Sequence, residues 1–134
     1  MLPTVLLCLV LILANCDLIS SDSSKGKVTY QQHCESCHMA DGEGLRKLIP
    51  PLSGADYLTT HREQLPCIIR YGMKGEIMVN GTMYNDSMPA NFQLNEIQIT
   101  NLVNYLLENL QDGKGKVTIE DTKEALNQCA EKSS

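Results

Sequence analysis

Cys34-Glu35-Ser36-Cys37-His38 sets two thiols three positions apart, with an imidazole directly after the second. On one helical turn, thiols at this spacing lie on adjacent faces and can form thioethers to the two vinyl groups of a single haem. The histidine that follows turns its ring toward the iron. A thioredoxin-type dithiol would need a βαβ pattern around it, and none surrounds this stretch. A structural zinc site would need two further thiol or imidazole ligands, normally as a second close pair, and the sequence offers none. His33 and His61 stand alone and read as surface residues. The stretch therefore predicts one covalent haem c, anchored on Cys34, Cys37 and His38.

The start of the chain bears on where the protein resides. Met1 to Asn15 is almost wholly apolar. It is shorter than the run of about 20 apolar residues that a membrane-crossing helix needs. It reads as an export signal, although the usual Lys or Arg near the start is missing. A buried core helix or strand is the alternative, and the freedom from polar interruption counts against it. Leu13-Ala14-Asn15-Cys16 is similar to a bacterial lipoprotein cleavage site, which would leave Cys16 at the mature N-terminus carrying lipid. An ordinary soluble export signal is the other reading. Ser20 to Ser24 is polar, and residues 16–25 read as a flexible tether between anchor and domain.

Six cysteines sort by these roles. Cys8 leaves with the signal, Cys16 takes lipid, and Cys34 and Cys37 take haem. Cys67 and Cys129 are left over, an even pair in a compartment that permits disulfides. They are read as a disulfide, against the alternative of two unrelated buried thiols. With no Trp and a single Phe at position 92, the chain is poor in core-building aromatics. A domain this small buries little surface by itself, and a haem would supply the missing apolar body. The formal net charge of −5 and the lack of a basic patch argue against nucleic acid as a partner.

From Gly26 to Leu110 the chain resembles the class I monohaem cytochromes c. Gly26 and Tyr30 precede Cys34 by eight and four positions, as the small and aromatic positions of that family's first helix do. Gly42-Glu43-Gly44 is similar to its glycine-rich loop, and Pro50-Pro51-Leu52-Ser53-Gly54 to its Pro-x-Leu-x-Gly segment. The resemblance implies that the Pro50 carbonyl accepts the ring N–H of His38 and so fixes its orientation. It also implies that the last helix crosses the first, with Tyr105 and Leu106 facing Gly26 and Tyr30. Of Met73, Met78, Met83 and Met88, the resemblance selects Met88, followed by Pro89, as the sixth iron ligand. The other three read as flexible filler.

The rest of the chain frames this core. Lys27 to Cys34 reads as a short helix. Tyr57 to Tyr71 is helical, with Pro66 acceptable only in the first turn of a second helix. Asn80-Gly81 between Ile77-Met78-Val79 and Thr82-Met83-Tyr84 predicts a hairpin, and some small membrane-associated cytochromes c resemble the chain there too. Leu94 to Leu110 is the clearest helix. Asn95 and Gln98 form a capping-box pattern, and Ile99, Leu102, Val103, Leu106 and Leu110 make its buried stripe. Past a loop at Asp112 to Gly115, Thr118 to Ala130 reads as an amphipathic helix with Val117, Ala125, Leu126 and Cys129 apolar.

The expected fold is all-α: a cytochrome c domain around one covalent haem, with a short β-hairpin before the ligand methionine and an added C-terminal helix. The expected divisions are 1–15 export signal, 16–25 tether, 26–110 cytochrome c domain, and 111–134 loop and C-terminal helix. A haem with thioether and imidazole ligands has no vacant position, so the expected role is electron transfer and not catalysis. The protein would be a lipid-anchored carrier on the periplasmic side of a bacterial membrane, or a subunit of a respiratory complex, and its partners would be redox proteins. The alternative is a haem subunit whose open or weak sixth position serves catalysis or ligand sensing.

Overall fold

A computed structural model of the chain describes residues 22–111, 113 and 115–132. The expected export signal, Cys16 and the first part of the expected tether lie outside these residues. Helix α1 runs Asp22–His33, and a single further turn, α2, spans Glu35–His38. The helix thus begins inside the stretch 16–25 that reads as tether, several residues before Lys27. Its buried positions explain why the sequence conceals this start. Gly26, Thr29 and Tyr30 are buried and His33 is half-buried. That stripe has helical spacing but almost no hydrophobic signal.

The partner of α1 is the longest central helix, α5, at Glu96–Asn109. At one end of the pair the Asn109 side chain donates to the Ser23 hydroxyl over 3.1 Å. At the other, Gln93 meets the His33 ring at 3.2 Å. The two helices therefore run in opposite directions. Between those ends they come so close at Gly26 that a β-carbon there would overlap the Asn101 carbonyl oxygen and sit 2.6 Å from Cβ of Tyr105. Tyr30 and Tyr105 pack with ring centroids 5.4 Å apart. Asn101 and Tyr105 are the residues that face Gly26. Leu106, also expected there, lies one step further round α5 and lines the crevice described below.

The expected helix from Tyr57 to Tyr71 is divided into α3 at Asp56–Thr60, a 3₁₀ turn at Arg62–Gln64, and α4 at Leu65–Tyr71. Pro66 causes the break. It has no N–H to donate, and its ring would meet the carbonyl of residue 62 in a continuous helix, so it sits in the first turn of α4. Strands β1 (Ile77–Val79) and β2 (Thr82–Tyr84) form the hairpin, with Met78 opposite Met83. Asn80 and Gly81 both have positive φ, 50° and 74°, as a two-residue hairpin turn requires. Asp56 and Asn80 exchange two hydrogen bonds of 2.8 and 3.0 Å that hold the turn against the start of α3.

Asn95 caps α5 in a full capping box, with bonds of 2.9 and 3.0 Å to and from Gln98, an arrangement worth about 1 kcal/mol. Every residue from Ile99 to Leu107 is buried, because α1, the crevice described below and the C-terminal helix each cover one side of α5. That last helix, α6, spans Ile119–Lys132. Asn104 of α5 reaches the segment leading into it, accepting from the Val117 N–H at 2.8 Å and donating to the Val117 carbonyl at 3.0 Å. The Thr100 and Thr122 hydroxyls meet at 2.8 Å in the interior. Cys67 of α4 and Cys129 of α6 lie side by side with α-carbons 6.1 Å apart, inside the range a disulfide accepts.

The α1–α5 crossing makes one expectation sharp. Gly26→Val should lower stability by about 1–3 kcal/mol, since neither backbone can retreat from the added methyl groups. The check is the urea midpoint of the haem-loaded protein. An unchanged midpoint would mean that the crossing tolerates separation.

Candidate functional site

The thiol pair hangs from the end of α1. The Cys34 N–H still donates to the Tyr30 carbonyl at 2.8 Å, and the His38 N–H to the Cys34 carbonyl at 2.9 Å. Cys34, Cys37 and His38 therefore sit on one rigid turn. Tyr30, fully buried, anchors the exit of that turn through a 2.6 Å bond from its hydroxyl to the Met39 carbonyl. Cys34 is buried and Cys37 exposed. Burial first, and then the neighbouring Cys37, push the Cys34 thiol up to about 12, so it is protonated at neutral pH.

His38 is 8 % exposed. Its Nδ1 lies 3.1 Å from the Pro50 carbonyl oxygen. A carbonyl can only accept, so Nδ1 carries the proton and Nε2 is left with a free lone pair. Burial lowers the pKa of this histidine, and the bond to Pro50 opposes the shift in part. The loop that carries Pro50 is folded back on itself. Gly44 N–H donates to the His38 carbonyl at 3.0 Å, and Leu45 bridges Ile49. Its far end is tied to the end of α5, where the Gly54 N–H meets the Leu110 carbonyl at 2.8 Å.

Beside this turn opens a crevice of about 1030 Å³, counting its mouth. Cys34, Cys37 and His38 lie on it together with Pro50 and Met88. Its walls are apolar. Leu65, Ile68 and Ile69 come from α4, Ile77 and Val79 from the hairpin, and Leu102 and Leu106 from α5. Among the described residues no cluster of His, Cys, Asp and Glu could hold a bare metal ion. The donor set suits a flat apolar group with an iron centre: two thiols to bond its edge, one imidazole lone pair, thioether sulfur, and hydrocarbon walls. The residues fit a haem.

Two of the four methionines belong to the crevice. Met78 and Met83 stand on the outer face of the hairpin, 56 % and 50 % exposed, and take no part. Met73 and Met88 both line it. They face each other in an antiparallel bridge, with N–H to carbonyl bonds of 3.0 and 2.9 Å in the two directions. Sequence reading took Met73 for filler, and nothing in its local pattern marks it out. Asn91 was also missed. It is buried, and both its backbone N–H and its side chain donate to the Ile69 carbonyl, at 3.2 and 3.3 Å, which ties the segment after Met88 to α4.

The chain has recognisable relatives. The family model described as cytochrome c matches residues 23–109. A protein named cytochrome c-552 from Thermus thermophilus is 33% identical over 108 residues, 78% of this chain and 70% of its own. A second cytochrome c-552 from Thermus thermophilus is 34% identical over 93 residues, 66% of this chain and 70% of its own.

Gly44 tests the arrangement around His38. Its φ is +71°, and a β-carbon there would overlap the Ile49 carbonyl oxygen and lie 2.7 Å from the Pro50 carbonyl. Gly44→Val should cost about 1–3 kcal/mol and push the Pro50 carbonyl off Nδ1. An imidazole that no longer donates there is a poorer electron donor to iron. The reduction potential of the haem-loaded protein should therefore rise. Potentiometric titration beside a denaturant curve checks both effects. If both stay at wild-type values, the loop does not control His38.

Proposed function

Because the chain belongs to the cytochrome c family, whose members carry electrons on covalently bound haem c, we propose that it is an exported, lipid-anchored electron carrier with His38 and Met88 as axial ligands. One observation carries the reading. Cys34, Cys37, His38 and Met88 share a single apolar crevice, and Pro50 holds the His38 ring with Nε2 free. Bound haem c supplies a one-electron couple between ferrous and ferric iron.

The chain's own residues do the rest. The thiols of Cys34 and Cys37 would hold the haem by thioethers to its two vinyl groups, each sulfur giving up its hydrogen to the adjoining vinyl carbon, a redox-neutral addition. The bond from His38 Nδ1 to Pro50 keeps one tautomer and one ring orientation. Met88, on the crevice wall, would supply a thioether that favours the ferrous state and excludes a substrate. Leu65, Ile68, Leu102 and Leu106 exclude water from the crevice and so limit the charge reorganisation that accompanies each electron. Pro89 restricts the backbone of Met88, and the resemblance to the family's ligand loop adds weight to Met88 over Met73.

The anchor is read from Cys16. Among the described residues no helix is long and apolar enough to cross a membrane; separately, the Leu13-Ala14-Asn15-Cys16 pattern supports attachment through lipid on Cys16. The domain would then work close to the periplasmic side of its membrane, beside membrane-bound redox partners. Cys67 and Cys129 are read as a disulfide in that oxidising compartment.

Replacing Met88 with Ala should let the ferrous haem bind carbon monoxide and lower the reduction potential. Met73→Leu should do neither. If Met73→Leu opens the iron and Met88→Ala does not, the roles are reversed. For the anchor, Cys16→Ser should move the protein from the membrane to the soluble fraction. A variant that still sediments with membranes would contradict it.

A further inference from the structure

Helix α6 lies beyond residues 23–109, the part of the chain that the family model covers, so its purpose has to be read from its own contacts. Its attachments differ in where they lead. The Asn104–Val117 and Thr100–Thr122 bonds fasten it to α5. The Cys67–Cys129 pair fastens it to α4.

Helix α4 is the element on which the iron environment depends most and which is least able to hold itself in place. It is two turns long, and Pro66 removes a donor from its first turn. A helix of that length has little stability of its own. Yet Leu65, Ile68 and Ile69, on either side of Cys67, form a wall of the crevice. The segment that bears Met88 hangs from the far end of the same helix. Met73, just past the end of α4, exchanges two backbone hydrogen bonds with Met88, at 3.0 and 2.9 Å. Asn91, just past Pro89, donates to the Ile69 carbonyl through its backbone and its side chain. Met88 is therefore held on one side by Met73, two residues past α4, and on the other through Asn91 by Ile69 of α4, so a tilt of α4 would carry Met88 with it.

We propose that Cys67 and Cys129 are positioning residues for Met88: the bond between them clamps α4 to the added helix and thereby holds the thioether at the iron. The inference rests on the readings of Met88 as ligand and of Cys67–Cys129 as a disulfide. The clamp acts on function through geometry. It sets how often the thioether leaves its place, so its loss opens the sixth position while the haem, held by Cys34, Cys37 and His38, stays bound.

The experiment uses haem-loaded protein in three forms: wild type, the Cys67→Ser/Cys129→Ser double variant, and wild type treated anaerobically with a dithiol. In the last form each protein sulfur gains a hydrogen while the reagent closes to its own cyclic disulfide. The readouts are the rate of carbon monoxide binding to the ferrous protein and the reduction potential, both taken well below the unfolding midpoint. Met88→Ala sets the upper limit of the rate. Breaking the bond by either route should speed carbon monoxide binding about tenfold or more, the scale of a coupling between sites, and lower the potential. A lower unfolding midpoint with unchanged rate and potential would overturn the inference alone and leave a purely structural bond. Intact wild type binding carbon monoxide as fast as Met88→Ala would overturn the ligand reading, and the inference with it. Two alkylatable thiols at Cys67 and Cys129 in denatured, unreduced protein would overturn the disulfide reading, and the inference with it.

Discussion

The backbone contact at Gly26 is the constraint from which the rest of the molecule follows. A helix without a β-carbon at that point lies directly on Asn101 and Tyr105 of α5. The approach puts the end of α1, and hence the turn with Cys34, Cys37 and His38, beside the face of α5 that presents Leu102 and Leu106. One crossing thus supplies both the covalent anchor points and a wall of the crevice. Tyr30 fixes the angle from within, filling the space between the helices and pinning Met39 with its hydroxyl. A bulkier residue at position 26 would separate the anchor points from their wall before it disturbed anything else.

Around that crossing the chain lines an apolar crevice beside its buried core. Its buried hydrophobics are mostly Leu, Ile and Val, and its single Phe is 67 % exposed. Apolar side chains from α4, α5 and the hairpin converge on the crevice. Such a design gains much of its stability only when a large apolar body sits within it. This explains how an aromatic-poor domain can be stable, and why the polar contacts nearest the crevice stand at its edge. The Pro50 carbonyl, the Met73–Met88 bridge and the Asn91 bonds each fix a position at the edge of the crevice, leaving the walls to hydrocarbon.

Much of this was legible in the sequence, for reasons that differ from place to place. Cys34-Glu35-Ser36-Cys37-His38 can be read because covalent chemistry dictates its spacing. The hairpin can be read because Asn80 and Gly81 are residues that tolerate positive φ, and α5 because its stripe and capping box agree. The start of α1 could not, since Gly26, Thr29 and His33 carry no hydrophobic period. The break between α3 and α4 was half legible: Pro66 gave a limit and left the 3₁₀ turn undetermined. Met73 beside Met88, Asn91 on Ile69 and Asn104 on Val117 were invisible. Each depends on two segments that meet only after the chain has folded, and no local pattern encodes such a meeting.

As proposed above, one haem would sit in this crevice between the His38 imidazole and a methionine thioether, an arrangement suited to carrying electrons and closed to substrates. X-ray absorption at the iron edge of the oxidised, haem-loaded protein tests it most directly. The account expects a sulfur scatterer in the first coordination shell alongside the nitrogens, retained on reduction and lost in Met88→Ala. A shell of nitrogens alone, or one in which water oxygen takes the sixth place, would contradict it.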